Sequence, residues 1–364
     1  MATRMNEREA NLRQPAIPLE PLIDPAEWCG ADLEADRAWE FWLTDAEIAE
    51  IDAAIASVSA RGLDIKDITV DDFPLPVLDQ KLAAMKRQLS DGFGLAVLRG
   101  LPVERYSIAE AAAAYWGVGL RIGVPVPQNY KGHVLGHVVD LGGLSRDKDP
   151  SIRGYNTSGP LSYHSDSCDI VGLLCLQKAK EGGLSKLASA VAIHNEMLRR
   201  RPDLVEELVK PWYRDRRNEI PPGKKPYFKL PVFHFAEGYF SCGWQNFYIR
   251  SAQRFDELPR FTERQQEALD MVDALSAELC FDQIFELGDM QFLHNHVIVH
   301  SRTSYDDYSE PERRRHLLRL WLATPGGRPL TDAILDRYVG LKSGQRPAGI
   351  VVEGMELCAP LVPE

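Results

Sequence analysis

A change of texture near residue 124 is the feature that most constrains the fold of this chain. From there on, short apolar and β-branched runs alternate with turns rich in Gly, Pro and Asn. The predicted strands are Val134–Val139, Gly172–Gln177, Phe233–Phe235, Tyr239–Cys242, Phe285–Glu286, Met290–Leu293, Val297–Val299 and Leu317–Leu322. Many short strands in succession favour a β-sandwich or jelly roll over a parallel α/β sheet.

Helical patterns lie before and between these strands. A capping box at Thr44-Asp45-Ala46-Glu47 opens a helix to about Gly62, and Ser107-Ile108-Ala109-Glu110 opens another through Tyr115. The other predicted elements are helices over Val77–Leu89, Ala190–Arg199 and Glu263–Leu279, the last opened by Thr262, and a strand over Gly94–Leu98. The pattern therefore predicts an α+β, mainly β fold with inserted helices.

The sequence predicts a short N-terminal arm followed by one large domain. Residues 1–37 are rich in Pro and charge and lack periodicity, which predicts an N-terminal arm that either packs loosely or wraps the body. Residues 38–364 contain no repeat, low-complexity tract or flexible linker, so we expect a single domain there.

Bulk composition argues against several kinds of partner. The formal net charge is −11 with no basic patch, so we do not expect nucleic acid binding. No apolar run of about 18 residues occurs, so no membrane span is expected. The polar N-terminus lacks a secretory signal, and six scattered cysteines indicate reduced thiols, which together predict a cytoplasmic protein. The sequence leaves open whether the chain forms a homo-oligomer.

His164-Ser165-Asp166 is the first motif that carries chemistry. On an extended strand residues 164 and 166 share a face, so an imidazole and a carboxylate can reach one point. Such triplets also occur by chance in surface turns or as a satisfied His–Asp hydrogen bond. A second histidine would complete two His and one carboxylate, the donor set typical of non-haem Fe(II) oxygenases.

Three downstream histidines are candidates for the third position. His300 ends the β-branched run Val297–Val299, and a ligand at a strand end is held more firmly than one in a loop. His294 and His296 flank Asn295 at a predicted turn, where a hydrogen-bonded turn is the plainer interpretation.

Two arginines on the last predicted strand need an explanation. Arg315 and Arg319 are four residues apart and so share a strand face. Arg319 is embedded among Leu and Trp residues, and a buried guanidinium requires an anionic partner. That partner could be an internal carboxylate or a dicarboxylate ligand held in a bidentate fork. Both alternatives stay open on the residues alone.

Taken in order, three blocks of the chain resemble the TauD/TfdA family of Fe(II)- and 2-oxoglutarate-dependent dioxygenases. The blocks are Tyr163–Asp166 with Val171–Leu176, Glu181–Ser185, and Gly288–Thr303 followed by Arg315–Arg319. The resemblance covers about residues 90–325. It implies a double-stranded β-helix, or jelly roll, with flanking and inserted helices.

The resemblance also implies roles for individual residues. His164, Asp166 and His300 would bind Fe(II). Arg319 would pair with the distal carboxylate of 2-oxoglutarate, with Arg315 in support and Ser185 in place of the usual threonine. The implied reaction uses O₂ to convert 2-oxoglutarate to succinate and CO₂ while oxidising a C–H bond of a small organic substrate. The retained Asp166 argues against a halogenase, in which a small residue replaces the carboxylate.

In that family, loops near the H-x-D motif shape the primary-substrate pocket. The candidate contacts here are Gln128, Asn129, Tyr130, Arg153 and Asn156, with ordinary polar loop residues as the alternative. The aromatic segment Trp244–Arg250 is interpreted as core in preference to cavity lining. Residues that would mark taurine or an aryloxyacetate as substrate have no clear copy, so neither substrate is carried over.

A second functional class is a non-catalytic or differently catalytic cupin-like metal-binding protein. Such a barrel needs no anchor for a dicarboxylate. The arginine pair with Ser185 therefore discriminates between the two classes.

Overall fold

The computed structural model describes residues 13–142, 153–217, 220, 223–336, 346–347, 349–352 and 354–364. Residues 1–12 of the expected arm lie outside this set. Eight α-helices occur within it: α1 (Gly30–Ala35), α2 (Asp45–Ala60), α3 (Asp79–Asp91), α4 (Ile108–Ile122), α5 (Ala190–Arg200), α6 (Pro202–Leu208), α7 (Asn246–Ser251) and α8 (Glu263–Glu278). In this part of the chain, no helix has both the length and the apolar character to span a bilayer.

Short strands account for most of the remaining regular structure. Over the described residues they are β1 (Glu40–Trp42), β2 (Leu95–Arg99), β3 (Val124–Pro125), β4 (Leu135–Val138), β5 (Leu161–His164), β6 (Ile170–Gln177), β7 (Glu181–Gly182), β8 (Ser185–Ser189), β9 (Trp212–Asp215), β10 (Tyr227–Leu230), β11 (Phe233–Ala236), β12 (Tyr239–Cys242), β13 (Phe281–Gln283), β14 (Met290–His294), β15 (Ile298–Arg302), β16 (Tyr305–Asp306) and β17 (His316–Ala323).

Two sheets build the core. The larger has the order β1-β2-β14-β6-β17-β3 with β4 also paired to β17, and the smaller has the order β13-β8-β15-β5. One hydrophobic cluster contains Val171 and Trp321 of the larger sheet together with Leu187 and Ile298 of the smaller. Strands that neighbour in space are mostly distant in sequence, as in a jelly roll. The predicted mainly β jelly roll with flanking and inserted helices is confirmed.

The last strand, β17, shows how the sequence separates core from site. Leu318, Leu320 and Leu322 pack in a second cluster with residues of α2, α3 and α4. Because successive side chains on a strand alternate between faces, Arg319 and Trp321 point to the opposite side, toward the smaller sheet. One face of this strand therefore packs against the helices, and the other face presents polar side chains toward the smaller sheet.

Helix α4 begins at its predicted capping box but ends later than predicted. The sequence pattern predicts its end near Tyr115, whereas the helix continues to Ile122 through Gly117 and Gly119. A Cβ at Gly117 would lie 2.2 Å from Phe73 Cδ1, and one at Gly119 would lie 2.5 Å from Leu320 Cδ1. Gly117 permits close packing against the loop residue Phe73, and Gly119 permits close packing against β17, which outweighs their low helix propensity.

The predicted strand Phe285–Glu286 is wrong. The strand in this region is β13, which begins four residues before Phe285 and pairs with β8. Phe285 is buried in a small cluster with Leu317, but it lies in a loop that turns at Gly288, where φ is +80°. An apolar residue fixed by burial at a turn resembles a strand residue in sequence.

The N-terminal segment, residues 13–37, packs closely on the body. Leu22, Trp28 and Leu33 are buried in the cluster that joins the two sheets. Trp28 Nε1 donates to Phe93 O at 2.9 Å. These contacts favour the wrapped alternative for the described part of the arm, while its separation from a domain over 38–364 stays a prediction.

Replacing the buried tryptophan of this segment tests its contribution. We expect Trp28→Ala to lower the free energy of unfolding by about 3–5 kcal/mol, because a fully buried aromatic side chain and its contacts are lost. The measurement is urea unfolding followed by circular dichroism. Trp42→Ala is the matched control, since Trp42 is 62% exposed, and its effect should stay under about 1 kcal/mol. Equal effects of the two substitutions would contradict an integral role for the segment.

Candidate active site

Three candidate metal ligands converge where β5 pairs with β15. His300 lies directly opposite His164 in this antiparallel pair, and the two ring centroids are 4.3 Å apart. Asp166 follows two residues after the end of β5, and its carboxylate oxygens lie 3.9 Å from the Nε2 atom of each histidine. The three donor atoms all lie within 4.8 Å of one another. The structure therefore brings together the three residues that the motif analysis selected.

The protonation of this group suits a metal. Burial, followed by the nearby His164, lowers the pKa of His300 to about 3, so this imidazole is neutral. Burial opposes ionisation of Asp166, but Arg319 and the two histidines lower the pKa of its carboxyl overall. His164 Nδ1 donates to Ser162 O at 2.8 Å, which fixes the tautomer that leaves the Nε2 lone pair facing Asp166. Two imidazoles and one carboxylate are a donor set that fits ferrous iron.

The rival histidines belong to a different network. His296 Nε2 donates to Asp169 Oδ1 at 2.8 Å. The same carboxylate accepts from Thr324 N at 2.8 Å and from Arg346 Nε at 2.7 Å. His294 is buried beside His296, with ring centroids 5.3 Å apart. His296 N also donates to His294 Nδ1 at 3.3 Å, so the interpretation as a hydrogen-bonded turn describes both histidines. Neither histidine belongs to the metal-ligand group found among the described residues.

Arg319 lies next to the candidate metal position. Its Nη1 is 3.9 Å from Asp166 Oδ2, and its guanidinium stacks on Tyr155 at 4.3 Å and on Trp321 at 5.1 Å. Arg319 Nε donates to Gln128 Oε1 at 2.7 Å. Trp321 Nε1 also donates to Asp166 Oδ2, at 2.9 Å. Trp321 thus contacts both the Asp166 carboxylate and the Arg319 guanidinium.

Arg315 immediately precedes β17 and lies in a second buried polar group. Burial lowers the pKa of its guanidinium, and Nη1 has no hydrogen-bond partner of good geometry in the described part of the chain. Burial and then Arg315 also lower the pKa of Arg302, to about 10. Gln291 Oε1 is another buried atom without a partner, and Gln291 Nε2 lies 3.5 Å from Ser185 Oγ. A buried guanidinium nitrogen without a hydrogen-bond partner, close to a second guanidinium, fits an anionic carboxylate ligand.

A cavity of about 140 Å³ opens at the candidate ligands His164 and Asp166. Among the predicted substrate contacts, Gln128 and Arg153 line this cavity. Tyr130 is 59% exposed and Asn129 Oδ1 accepts from Lys131 N at 3.0 Å, so neither reaches it. Asn156 lines a separate small cavity that it shares with Asn129. These three lie outside the lining of the cavity at the candidate ligands, and their contact with the primary substrate stays a prediction.

Several lining residues escaped the sequence analysis. They include Tyr155, Arg217, Gln245, Phe247 and Tyr248. The segment Trp244–Arg250 was expected to be core, and Trp244 is fully buried. The following residues form α7, whose buried side is Asn246 and Ile249, so Phe247 and Tyr248 face the cavity. The sequence signal that could have identified Phe247 and Tyr248 is a helical period, which places Asn246 and Ile249 on one side of the helix and these two aromatic residues on the other.

The chain matches known proteins over most of its length. The family described as "Taurine catabolism dioxygenase TauD, TfdA family" matches residues 61–321. The chain is similar to "FR-33289 synthase" of Streptomyces rubellomurinus (strain ATCC 31215), with 33% identity over 334 residues, covering 90% of this chain and 97% of that protein. It is also similar to "Taurine hydroxylase-like protein SAT17" of Stachybotrys chartarum (strain CBS 109288 / IBT 7711), with 32% identity over 327 residues, covering 84% and 82%.

Solved structures share the fold. An asparagine oxygenase in complex with Fe(II), hydroxyasparagine and succinate superposes with a TM-score of 0.61 at 19% identity, covering 79% of this chain and 94% of that one. The non-heme iron oxygenase OrfP in complex with Fe and alpha-ketoglutaric acid gives 0.59 at 14% identity, covering 78% and 93%. These solved structures show a shared fold, whereas the family match and the two sequence relatives show the family to which the chain belongs. The chain therefore belongs to the TauD/TfdA family and is an Fe(II)- and 2-oxoglutarate-dependent dioxygenase.

Proposed function

We propose that His164, Asp166 and His300 hold the ferrous ion of this dioxygenase. The observation that carries the proposal is the convergence of their donor atoms within 4.8 Å, which other groups of His, Cys, Asp or Glu in the described residues do not match. Bound iron would activate O₂ with 2-oxoglutarate as co-substrate, giving succinate, CO₂ and an oxidised C–H bond. Two imidazoles and a carboxylate on one face leave positions open for both.

The surroundings of the two arginines favour an exchange of their expected roles. Positions four apart in an extended chain are separated by about 13 Å, so Arg315, just before β17, and Arg319, within it, serve different parts of the site. Arg319 lies 3.9 Å from a ligand carboxylate, whereas Arg315 lies among buried polar atoms without partners. We therefore propose that Arg315, with Ser185, binds the distal carboxylate of 2-oxoglutarate. Arg319 would balance negative charge next to the iron.

Two further side chains act as positioning residues in this proposal. Gln128 is 1% exposed, accepts from Arg319 Nε, and donates its Nε2 to Arg319 O at 2.8 Å. It thereby fixes both the side chain and the main chain of that arginine. Trp321 orients the Asp166 carboxylate through its indole N–H and covers one side of the cavity. Both contacts reduce the freedom of charged groups that must face the reacting atoms.

The primary substrate is proposed to be a small organic molecule. A cavity of about 140 Å³ beside His164 and Asp166 supports this size class. The buried polar group around Arg315 also argues against the alternative of a cupin-like metal-binding protein, which needs no dicarboxylate site.

A reducing compartment such as the cytoplasm is proposed because all six cysteines are free thiols.

The choice between the two histidines of the β14–β15 region is directly testable. We expect His300→Gln to abolish the weak visible absorbance that forms when Fe(II) and 2-oxoglutarate are added anaerobically, because a ligand to the metal is lost. His296→Gln should retain the absorbance, since His296 is bonded to Asp169. Circular dichroism spectra establish that each variant is folded. Loss in His296→Gln with retention in His300→Gln would show that the ligands are misassigned.

The assignment of the co-substrate anchor makes a separate prediction. Arg315→Met should raise the 2-oxoglutarate concentration for half-maximal absorbance by about 10–100-fold, because charge-assisted hydrogen bonds to a carboxylate are lost. The control is Arg314→Met, since Arg314 donates to the backbone oxygens of Tyr308 and Ser309 outside the cavity. An unchanged requirement in Arg315→Met, with a large increase in Arg319→Met, would restore Arg319 as the distal anchor.

A further inference from the structure

We propose that Ile350 forms an aliphatic wall of the active-site cavity and selects a primary substrate that carries an uncharged alkyl group. Ile350 lines the cavity that also contains His164 and Asp166. It lies beyond residues 61–321, the part of the chain that matches the family. The inference rests on the proposed function, because it concerns the molecule that is presented to the iron. It adds a specificity-determining residue and a chemical feature of the substrate.

The backbone of Ile350 is fixed against the loop that leads to Gln128. Its N–H donates to Pro127 O at 2.9 Å. Gly349 has a φ of +71°, and a Cβ at that position would lie 2.1 Å from the same carbonyl oxygen. A residue with a side chain would be both strained and in collision there, so glycine permits the close approach. The contact sets the position from which the Ile350 side chain joins the cavity wall.

The loop that accepts this hydrogen bond is itself bonded to β17 on both sides of the accepting residue. Val126 N donates to Trp321 O at 2.8 Å. Gln128 Nε2 donates to Arg319 O at 2.8 Å. Trp321 and Arg319 line the same cavity as Ile350. The wall residue is therefore connected, through one short loop, to the strand that faces the candidate metal ligands.

An ion pair fixes the chain just before the wall residue. Arg346 Nε and Nη2 donate to the two carboxylate oxygens of Asp169, at 2.7 and 2.5 Å. Arg346 Nη1 also donates to Arg328 O. The Asp169 side chain is fully buried, and that of Arg346 is 13% exposed. A bidentate pair of a guanidinium and a carboxylate specifies direction as well as distance, so Arg346 acts as a positioning residue for Ile350.

The same aspartate connects this part of the chain to the region that carries the metal ligands. Asp169 lies three residues after Asp166 and directly precedes β6. Its Oδ1 accepts from His296 Nε2 at 2.8 Å, and its backbone oxygen accepts from Asn295 N at 2.9 Å, both in the turn before β15. One buried residue thus holds the wall and the turn between the ligand strands. A substrate atom packed on Ile350 would therefore lie at a set distance from the iron.

The chemistry of the wall decides which group it accepts. Ile350 is partly buried and packs on the hydrophobic cluster that joins the two sheets. Leu161 and Trp321 add apolar surface to the same cavity. An aliphatic side chain offers a ligand dispersion contacts and exclusion of water, and a charged group placed against it would lose hydration without compensation. An alkyl group is the part of a substrate that gains free energy there, and the size of the wall residue limits its length.

Alkanamides of increasing length test the wall. Propanamide, butanamide, pentanamide and hexanamide are titrated anaerobically into protein that holds Fe(II) and 2-oxoglutarate, where a change of the visible absorbance reports binding beside the iron. Calorimetric titration of the metal-free protein gives a readout that does not depend on iron. Ile350→Ala enlarges the cavity, Ile350→Phe fills it, and Ile350→Val is the conservative change. Val351→Ala is the matched control, since Val351 is the adjacent β-branched residue and is 40% exposed.

We expect the wild-type protein to prefer one chain length. Ile350→Ala should increase the affinity for hexanamide relative to propanamide by about tenfold, because a change of one methylene in an apolar pocket alters discrimination by about 10–200-fold. Ile350→Phe should shift the preference to shorter chains, Ile350→Val should shift it slightly, and Val351→Ala should leave it unchanged. Arg346→Met should weaken the discrimination between chain lengths while the 2-oxoglutarate requirement stays the same, which a general loss of folding would not produce.

Two results would overturn the proposal. One is the same dependence on chain length in the wild-type protein, Ile350→Ala and Ile350→Phe. The other is that no alkanamide binds in either measurement. An unchanged profile in Arg346→Met would overturn the positioning role of that arginine. Failure of the proposed function appears separately, as absence of the visible absorbance in the wild-type protein before any alkanamide is added.

Discussion

The antiparallel pairing of β5 with β15 is the constraint on which the rest of the site depends. It sets His164 opposite His300 and lets the chain leave β5 just before Asp166. The Asp166 N–H then donates to Asn295 Oδ1 at 3.0 Å, so the turn before β15 also holds the third candidate ligand. A slip of one residue in this pair would turn an imidazole to the opposite face and remove the site. The metal centre is therefore a consequence of strand register.

Charge is arranged along β17 in a way that serves both stability and chemistry. Its leucines pack against the helical layer, and the alternate positions bring Arg319 to the metal end of the site. Arg315, which immediately precedes the strand, lies in the second buried polar group. Buried cations are costly unless they are paired, so a buried Arg315 whose Nη1 has no hydrogen-bond partner among the described residues indicates function more than stability.

The sequence was informative where the signal is local. The H-x-D motif, the strand that carries His300 and the capping boxes at Thr44 and Ser107 all depend on neighbouring residues, and the structure contains each of them. Features set by distant contacts were not predictable. Gly117 extends a helix because it packs on Phe73, and Arg217 reaches the cavity through a hairpin and a distant aromatic pair. The exchange of roles proposed for Arg315 and Arg319 likewise depends on tertiary surroundings that strand periodicity does not specify.

The most direct test of the central claim is a crystal structure of the protein loaded anaerobically with Fe(II) and 2-oxoglutarate. We expect one iron bound by His164, Asp166 and His300, with the distal carboxylate of 2-oxoglutarate on Arg315. Iron bound at other side chains, or iron bound with His296 in place of His300, would contradict this assignment.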